Sequence, residues 1–406
     1  MTQSMFDFFY KERNGMDAQK DRNKKKHSVE VRGIRVLMAI MIIVQMNCTI
    51  HKQVAAPGKD TSMSVSFNDA RIQYEGRIDY SDPAAATLCW SGTTVRFRFS
   101  GTGARVLLKD YSGQNYFNVI IDGDTAAIKK MRIDTAKKWY VLAEGLHPGK
   151  HTVELFKRTQ INKEYNRGYT KFYEIGLSSG ARLLSPPSLQ KRKMEFYGNS
   201  ITCGHAIEDS SGGDSGAAQF ENNYRSYAAL TARHFSARYR CISESGIGLL
   251  AGYRKELMPE IYDRINPFDR QPLWDFSSYQ PDIVVVNLLQ NDEGVIGNPQ
   301  SEAFKKYFGT KAPAAGQIIA AYRHFIQRLR GHYPKAHIIC VLGSMGITRT
   351  GSPWPGYVQQ AVASLADKKV YTHFFPYKGT PGHPLIQDHA AMAQSLTRFI
   401  HDQIGW

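Results

Sequence analysis

The hydrophobic pattern of this chain changes its period once, at Ser185-Pro186-Pro187-Ser188, and the two sides of that break demand different kinds of sheet. Before it, residues 62–184 carry short runs in which apolar and polar side chains alternate. Examples are Val95-Arg96-Phe97-Arg98-Phe99 ahead of Ser100-Gly101, Tyr116-Phe117-Asn118-Val119-Ile120-Ile121 ahead of Asp122-Gly123, and His151-Thr152-Val153-Glu154-Leu155. A period of two marks strands with one buried face, and the Ser-Gly and Asp-Gly pairs mark turns. This half predicts an all-β sandwich. After the Pro-Pro linker, short apolar strands are expected at 193–197, 239–243, 282–288, 337–342 and 370–375. Helical patterns stand between and after them at 224–235, 255–263, 316–329, 357–366 and 388–401. Short apolar strands alternating with helices imply a central parallel sheet covered on both faces, hence an α/β domain over 185–406. Chemistry in such a sheet gathers in the loops at the carboxyl ends of its strands.

Residues 1–60 read differently. The run VLMAIMIIV at 36–44 follows Lys24, Lys25, Lys26, Arg32 and Arg35. It is far short of the about 20 apolar residues that span a bilayer, and it has the length of a signal-peptide core. Cys48 closes the segment as a candidate lipid acceptor, the alternative being a plain cleaved leader with a spectator cysteine; Met16 is an alternative start. The chain is therefore expected to be exported, as a periplasmic, surface-anchored or secreted protein, with membrane contact only through Cys48. The net charge of +16 points first to a nucleic-acid partner, but residues 1–61 alone hold eleven basic and six acidic side chains. The remaining excess is spread thinly, without a basic stripe interleaved with aromatics, so no nucleic-acid partner is expected. The other cysteines, Cys89, Cys203, Cys241 and Cys340, form no disulfide framework and no cluster with metal-ligand spacing. Buried thiols are expected at Cys241 and Cys340, and a packed spectator at Cys203.

Four strand ends of the second half carry polar groups suited to acyl transfer. The first strand runs into Gly198-Asn199-Ser200-Ile201-Thr202-Cys203-Gly204, where a serine at a glycine-flanked turn can present both its hydroxyl and its own N–H to one spot. Taken alone, such a serine is as readily a helix N-cap. The second ends in Ser243-Glu244-Ser245-Gly246, whose glycine can offer a second N–H. The third ends in Gln290-Asn291-Asp292; the Asn291 amide can donate to a developing oxyanion or close an Asx turn. Gly382-His383-Pro384 follows the last strand, where a histidine can reach the first loop as general base and then general acid. Four such elements in this order and at equivalent positions favour a serine hydrolase, which needs neither a metal nor an organic cofactor. Trp354, in Ser352-Pro353-Trp354-Pro355-Gly356, is a candidate sugar platform, with core packing as its alternative.

The order Gly-Asn-Ser-Ile-Thr, Ser-Gly, Gln-Asn-Asp and His-Pro resembles the SGNH (GDSL-type) hydrolases, and within them carbohydrate esterase family two. Gly76-Arg77-Ile78-Asp79, Trp90-Ser91-Gly92, Phe99-Ser100-Gly101-Thr102, Ile121-Asp122-Gly123 and Leu155-Phe156-Lys157-Arg158-Thr159 look like landmarks of that family's N-terminal jelly-roll domain. The resemblance covers about residues 65–400. It implies Ser200 as nucleophile, His383 as base, and Ser200, Gly246 and Asn291 as the oxyanion hole. It implies removal of O-acetyl groups from polysaccharides or oligosaccharides of the acetylated glucomannan or xylan type. The alternatives are an esterase for other acyl glycosides or short acyl esters, and a catalytically weak carbohydrate-binding surface protein. Three positions depart from the pattern: Asn199 stands where Asp is usual, Leu289 where Gly is frequent, and Thr380 and Pro381 where an acid would complete a triad. The expectations are a Ser-His dyad held by a backbone carbonyl, a displaced acid at Asp388, Asp292 or Glu208, or a degraded site.

Overall fold

The structure, a computed structural model, describes residues 63–406. The apolar run at 36–44, Cys48 and the rest of the N-terminal extension lie outside the described residues.

Two antiparallel sheets face each other in the first half. One runs in the order β3 (Ile78–Asp79), β4 (Ala86–Leu88), β11 (Thr170–Leu177), β6 (Ala104–Asp110), β9 (Lys138–Ala143), with β1 (Met63–Ser66) also on β11. The other runs β12 (Arg182–Leu184), β5 (Thr94–Gly101), β10 (Gly149–Lys157), β7 (Tyr116–Ile121), β8 (Lys129–Arg132), with β2 (Gln73–Glu75) on β5. The alternation read from sequence sets the register: Val95 lies opposite Leu155 and Phe97 opposite Val153, all four turned into the core with Phe117, Leu108, Phe172 and Ile175.

The second half is a five-stranded parallel sheet in the order β14 (Arg238–Ser243), β13 (Lys193–Gly198), β15 (Ile283–Asn287), β16 (His337–Leu342), β17 (Val370–Phe374). Successive residues feed opposite faces. Tyr197, Val284, Val286 and Cys340 pack under α6 (Ala315–His332) and α7 (Trp354–Ala363), whereas Phe196, Cys241, Val285 and Val341 pack under α2 (Tyr227–His234) and α8 (Ile386–Ile404). Short helices α1 (Ser200–Cys203), α3 (Met258–Ile261), α4 (Gln290–Ile296) and α5 (Glu302–Phe308) complete the domain. The chain leaves β13 toward β14 on one side and toward β15 on the other. This is the topological switch point, where the carboxyl ends of the strands open a crevice. The expected class, an all-β sandwich followed by an α/β domain with a parallel sheet, is the class observed.

Two local readings change. The helix expected over 255–263 shrinks to α3, because Pro259 stands near its start and the carbonyls of Tyr262 and Arg264 turn outward to accept from Arg77 (2.6 and 3.2 Å). Helices α4 and α5 were not expected; each is about two turns long and too short to show a period. Cys89, Cys203, Cys241 and Cys340 are all buried free thiols.

The sandwich and the α/β layers pack as one compact unit. Arg77, fully buried, reaches from β3's approach into the parallel sheet, donating to Glu195 Oε1 (2.8 Å) and to the Tyr197 hydroxyl (3.0 Å), while the Tyr333 hydroxyl also donates to Glu195. Trp90 Nε1 donates to the Ile265 carbonyl at 2.8 Å. Replacing Arg77 by Met strands the Glu195 carboxylate in the interior, and a loss of about 3–5 kcal/mol is expected. Urea unfolding of the variant reads it as a lower midpoint at constant slope; an unchanged midpoint refutes it.

Candidate active site

The turn after β13 is built so that Ser200 is not needed for capping. Asn199 is the N-cap of α1, and its side-chain oxygen accepts from Ile201 N at 3.2 Å. The ordinary role for a serine at this place is thus already taken, and among the described residues the Ser200 hydroxyl has no protein hydrogen-bond partner. Ser200 itself is 6% exposed. Gly198 lets the turn close, since a Cβ there would stand 2.0 Å from Thr202 Oγ1. The Asn199 and Gln290 amides lie 2.6 Å apart and tie this loop to the end of β15.

The other strand ends converge on the same crevice. Gly246, with φ of +82°, turns the loop after β14 through a conformation that favours glycine. Asn291 lies in the first turn of α4 and donates through Nδ2 to the Ile247 carbonyl at 2.7 Å, so one amide hydrogen is bound to the Gly246 loop and one remains. Asp292 braces that loop from below, accepting from the backbone N–H groups of Leu249, Leu250 and Ala251 at 2.6–3.0 Å. Burial outweighs those bonds and pushes its carboxyl up to about 6. Leu289, at the position where glycine is frequent, adopts φ of +83° while fully buried.

The histidine loop supplies the main surprise. His383 Nδ1 lies 2.8 and 2.9 Å from the two oxygens of Asp214, and the His383 backbone N–H donates to the same carboxylate at 3.1 Å. None of the expected acids is there. Asp388 caps α8 by accepting from Leu385 N (2.9 Å), Asp292 holds the backbone described above, and Glu208 pairs with Arg158 and accepts from Asn222 Nδ2 (2.6 Å). Among the described residues, no backbone carbonyl is a hydrogen-bond partner of Nδ1. Asp214 belongs to a Ser-Gly-rich loop with no periodicity; a carboxylate among small residues shortly after the serine helix was its only trace in the sequence. Asp209 shapes the loop by accepting from Ser211 N (3.1 Å) and Ser215 N (2.7 Å).

Behind His383 stands a second histidine. The His205 ring lies 4.7 Å from that of His383, and its backbone N–H donates to the Ser200 carbonyl at 3.0 Å. The electrostatics follow from this crowding. Burial lowers the pKa of His383 from its ordinary value; the Asp214 hydrogen bond opposes the shift, while His205 and Lys378 reinforce it. For Asp214, burial would raise the carboxyl, but the bonds and charge of His383 win and hold it at about 2. The result is a neutral imidazole whose Nδ1 hydrogen faces a carboxylate, leaving Nε2 free to take a proton.

Two other sequence readings resolve. Trp354 is 6% exposed and packs in the core beside Tyr357, ring centres 5.7 Å apart; its faces are covered by protein, so it is no sugar platform. Cys203 is fully buried with Sγ 3.2 Å from Ser243 Oγ, and burial pushes its thiol well above the usual range, as suits a packed spectator. Among the described residues, no group of three or more His, Cys, Asp or Glu is placed to hold a metal ion.

Comparison with known proteins gives this geometry a context. A family model described as carbohydrate esterase 2 N-terminal matches residues 74–187. The chain is 35% identical over 360 residues to the cellulase/esterase CelE of Acetivibrio thermocellus, covering 86% of this chain and 41% of that much longer protein. It is 24% identical over 351 residues to an acetylxylan esterase/glucomannan deacetylase of Cellvibrio japonicus, covering 84% of this chain and 92% of that one. The solved structure of a family two carbohydrate esterase from Clostridium thermocellum in complex with cellohexaose superposes with a TM-score of 0.73 at 35% identity. It covers 82% of this chain and 99% of that one.

Asp214 raises the His383 pKa, so Asp214→Asn is expected to lower it further, leaving burial, His205 and Lys378 unopposed. An NMR titration of the imidazole signals in both proteins measures the shift. An equal or higher value in the variant excludes Asp214 as the partner of His383.

Proposed function

This chain belongs to carbohydrate esterase family two, and from that premise we propose that it is a serine esterase that removes O-acetyl groups from polysaccharides or oligosaccharides of the acetylated glucomannan or xylan type. Ser200 Oγ attacks the acetyl carbonyl while His383 Nε2 takes the hydroxyl proton. The N–H groups of Ser200 and Gly246 and the Asn291 amide receive the oxyanion of the tetrahedral intermediate. Collapse expels the sugar oxygen, to which His383 returns the proton, leaving acetyl-Ser200. Water then attacks the acetyl carbon by the same exchange, giving acetate and free serine.

The single observation that carries this reading is the fixing of His383 by Asp214, with the His383 ring meeting edge-on the ring of His205, whose backbone N–H bonds the Ser200 carbonyl. Asp214 is the positioning carboxylate: it holds the imidazole in the tautomer that accepts at Nε2 and stabilises the imidazolium that forms. The reading therefore differs from a bare dyad. The named activities of the relatives at 35% and 24% identity support the substrate class.

Export is part of the proposal, supported by the basic stretch and the apolar run at 36–44, with Cys48 the candidate lipid acceptor. Labelling with a fatty acid, compared between wild type and Cys48→Ser, separates an anchored from a released protein.

Acetate release from acetylated glucomannan, acetylated xylan and 4-nitrophenyl acetate tests the activity. Ser200→Ala is expected to remove it, and Asp214→Asn to lower kcat by about three to four orders of magnitude. Wild-type release equal to that of Ser200→Ala refutes the reading. Butyryl and octanoyl esters, run beside the acetyl ester, test the preference for the short acyl group.

A further inference from the structure

The acid that pairs with His383 stands where no core packing holds it. Asp214 lies on a loop over 209–219, whose neck is closed by the Glu208 N–H donating to the Phe220 carbonyl at 3.0 Å. Ser210, Ser211, Gly212 and Gly213 are exposed, and the Asp214 side chain is itself 35% exposed. Inside the loop Asp209 gathers the N–H groups of Ser211 and Ser215, while the Ser211 and Ser215 hydroxyls accept from Gly213 N (3.1 Å) and Ala217 N (3.2 Å). These bonds give the loop a shape and do not place it. A compact surface loop is placed by what its residues touch outside it.

The sandwich supplies that contact. Asn162 and Arg167 exchange backbone hydrogen bonds (2.7 and 2.8 Å) and close a hairpin that carries Tyr165 and Arg167 to the loop. Arg167 Nη2 donates to the Gly216 carbonyl at 3.1 Å. Among the described residues, this is the one hydrogen bond between residues 211–216 and anything outside the loop, those of Asp214 with His383 apart. Gly216 also fits a notch between two rings. Tyr165 and His205 stack with ring centres 6.3 Å apart, and a Cβ on Gly216 would stand 3.3 Å from His205 Cε1 and 3.7 Å from Tyr165 Cζ. Two residues before the notch the chain delivers Asp214 to His383, whose ring meets the same His205 edge-on. The seat of the loop and the pairing of the acid thus share His205 as their reference.

We propose that the sandwich domain places the acid of the triad: Tyr165 and Arg167 are positioning residues that seat Gly216 against His205 and so hold Asp214 on His383. The inference rests on the esterase reading and adds to it that the general base is set by a contact from the β-domain.

Two variants disturb the seat from opposite directions. Gly216→Val overfills the notch, and Tyr165→Ala opens it. A misplacement of about 1 Å can cost on the order of a hundredfold in rate, so Gly216→Val is expected to lower kcat on 4-nitrophenyl acetate by up to about a hundredfold and Tyr165→Ala by about tenfold, with KM little changed. In the Asp214→Asn background neither substitution has a placed acid left to disturb, and each is expected to change kcat by less than about twofold. The His383 pKa, read by NMR, is expected to fall in both single variants toward its value in Asp214→Asn, since Asp214 is the group that raises it against burial, His205 and Lys378. Tyr165 is 40% exposed, so Tyr165→Ala decides the test if Gly216→Val does not fold. A His383 pKa unchanged in the folded variants, or a kcat loss of the same size in the Asp214→Asn background, overturns the proposal. If wild type releases acetate from no ester, the esterase reading fails, and the NMR titration still tests the seat.

Discussion

The site depends on one buried carboxylate. Glu221 is fully enclosed and accepts from the Gln160 N–H (3.0 Å), from Gln160 Nε2 (2.6 Å) and from the Arg167 guanidinium, and it lies 3.3 Å from His205 Nδ1. Burial alone would raise its pKa; the charge of Arg167 and the bonds from His205 and Gln160 reverse this and hold it at about 2. An ion so enclosed is tolerated only because every oxygen is met. Arg167 and Gln160 belong to the sandwich, and His205 to the segment that follows Ser200. Gln160 also accepts from Ser245 N at 2.6 Å through its other atom. One sandwich glutamine therefore meets both the histidine side of the crevice and the loop that carries Gly246. The β-domain is a wall of the site and not an appendage to it.

The Gly246 loop is held by crowding as well as by bonds. A Cβ on Gly248 would stand 1.6 Å from the Ala251 carbonyl oxygen, so the loop can fold back on itself only at glycine. The same fold-back points three N–H groups at Asp292. Across from it, Leu289 enters α4 with a left-handed backbone, at a cost of about 1–3 kcal/mol for a side-chain-bearing residue. Its side chain is fully buried among Leu288, Ile247 and Leu249, and that burial offsets the strain. Where glycine would give this turn without strain, leucine fastens it to the core.

Much of this was legible in the sequence because the physics there is local. Alternation along β5 and β10 and the apolar run of β15 announce their sheets directly, and strands ending in Ser200, Gly246 and Asn291 announce where those residues meet. What was not legible depends on chain returning from a distance. Asp214 has no periodic neighbour and no fixed spacing to His383; only the fold brings it there. Gln160 and Glu221 look like ordinary polar residues, 61 positions apart in sequence. Trp354 was misplaced for the opposite reason: its Pro-rich setting reads as an exposed loop, but Trp354 opens α7 and turns inward.

In the proposed triad, the pairing of His383 with Asp214 ties little to chain order. The imidazole needs an acceptor at Nδ1, within hydrogen-bond reach and on the side away from the serine, and a carboxylate there also stabilises the imidazolium. It does not require that carboxylate on its own loop. Here the positions just before His383 do other work. Lys378 Nζ donates to Thr380 Oγ1 and to the Pro381 carbonyl, both at 2.7 Å, stapling the loop into shape. That cation also adds to the positive potential around His383, which a carboxylate arriving from the other side balances. Asp214 arrives with φ of +51°, a conformation that aspartate tolerates better than most side chains do. Gly382, at φ of +77°, turns the histidine to meet it. The acid and the loop that receives it are thus shaped for each other from two distant segments. Loss of an aspartate from its usual position therefore does not by itself make the histidine a lone base.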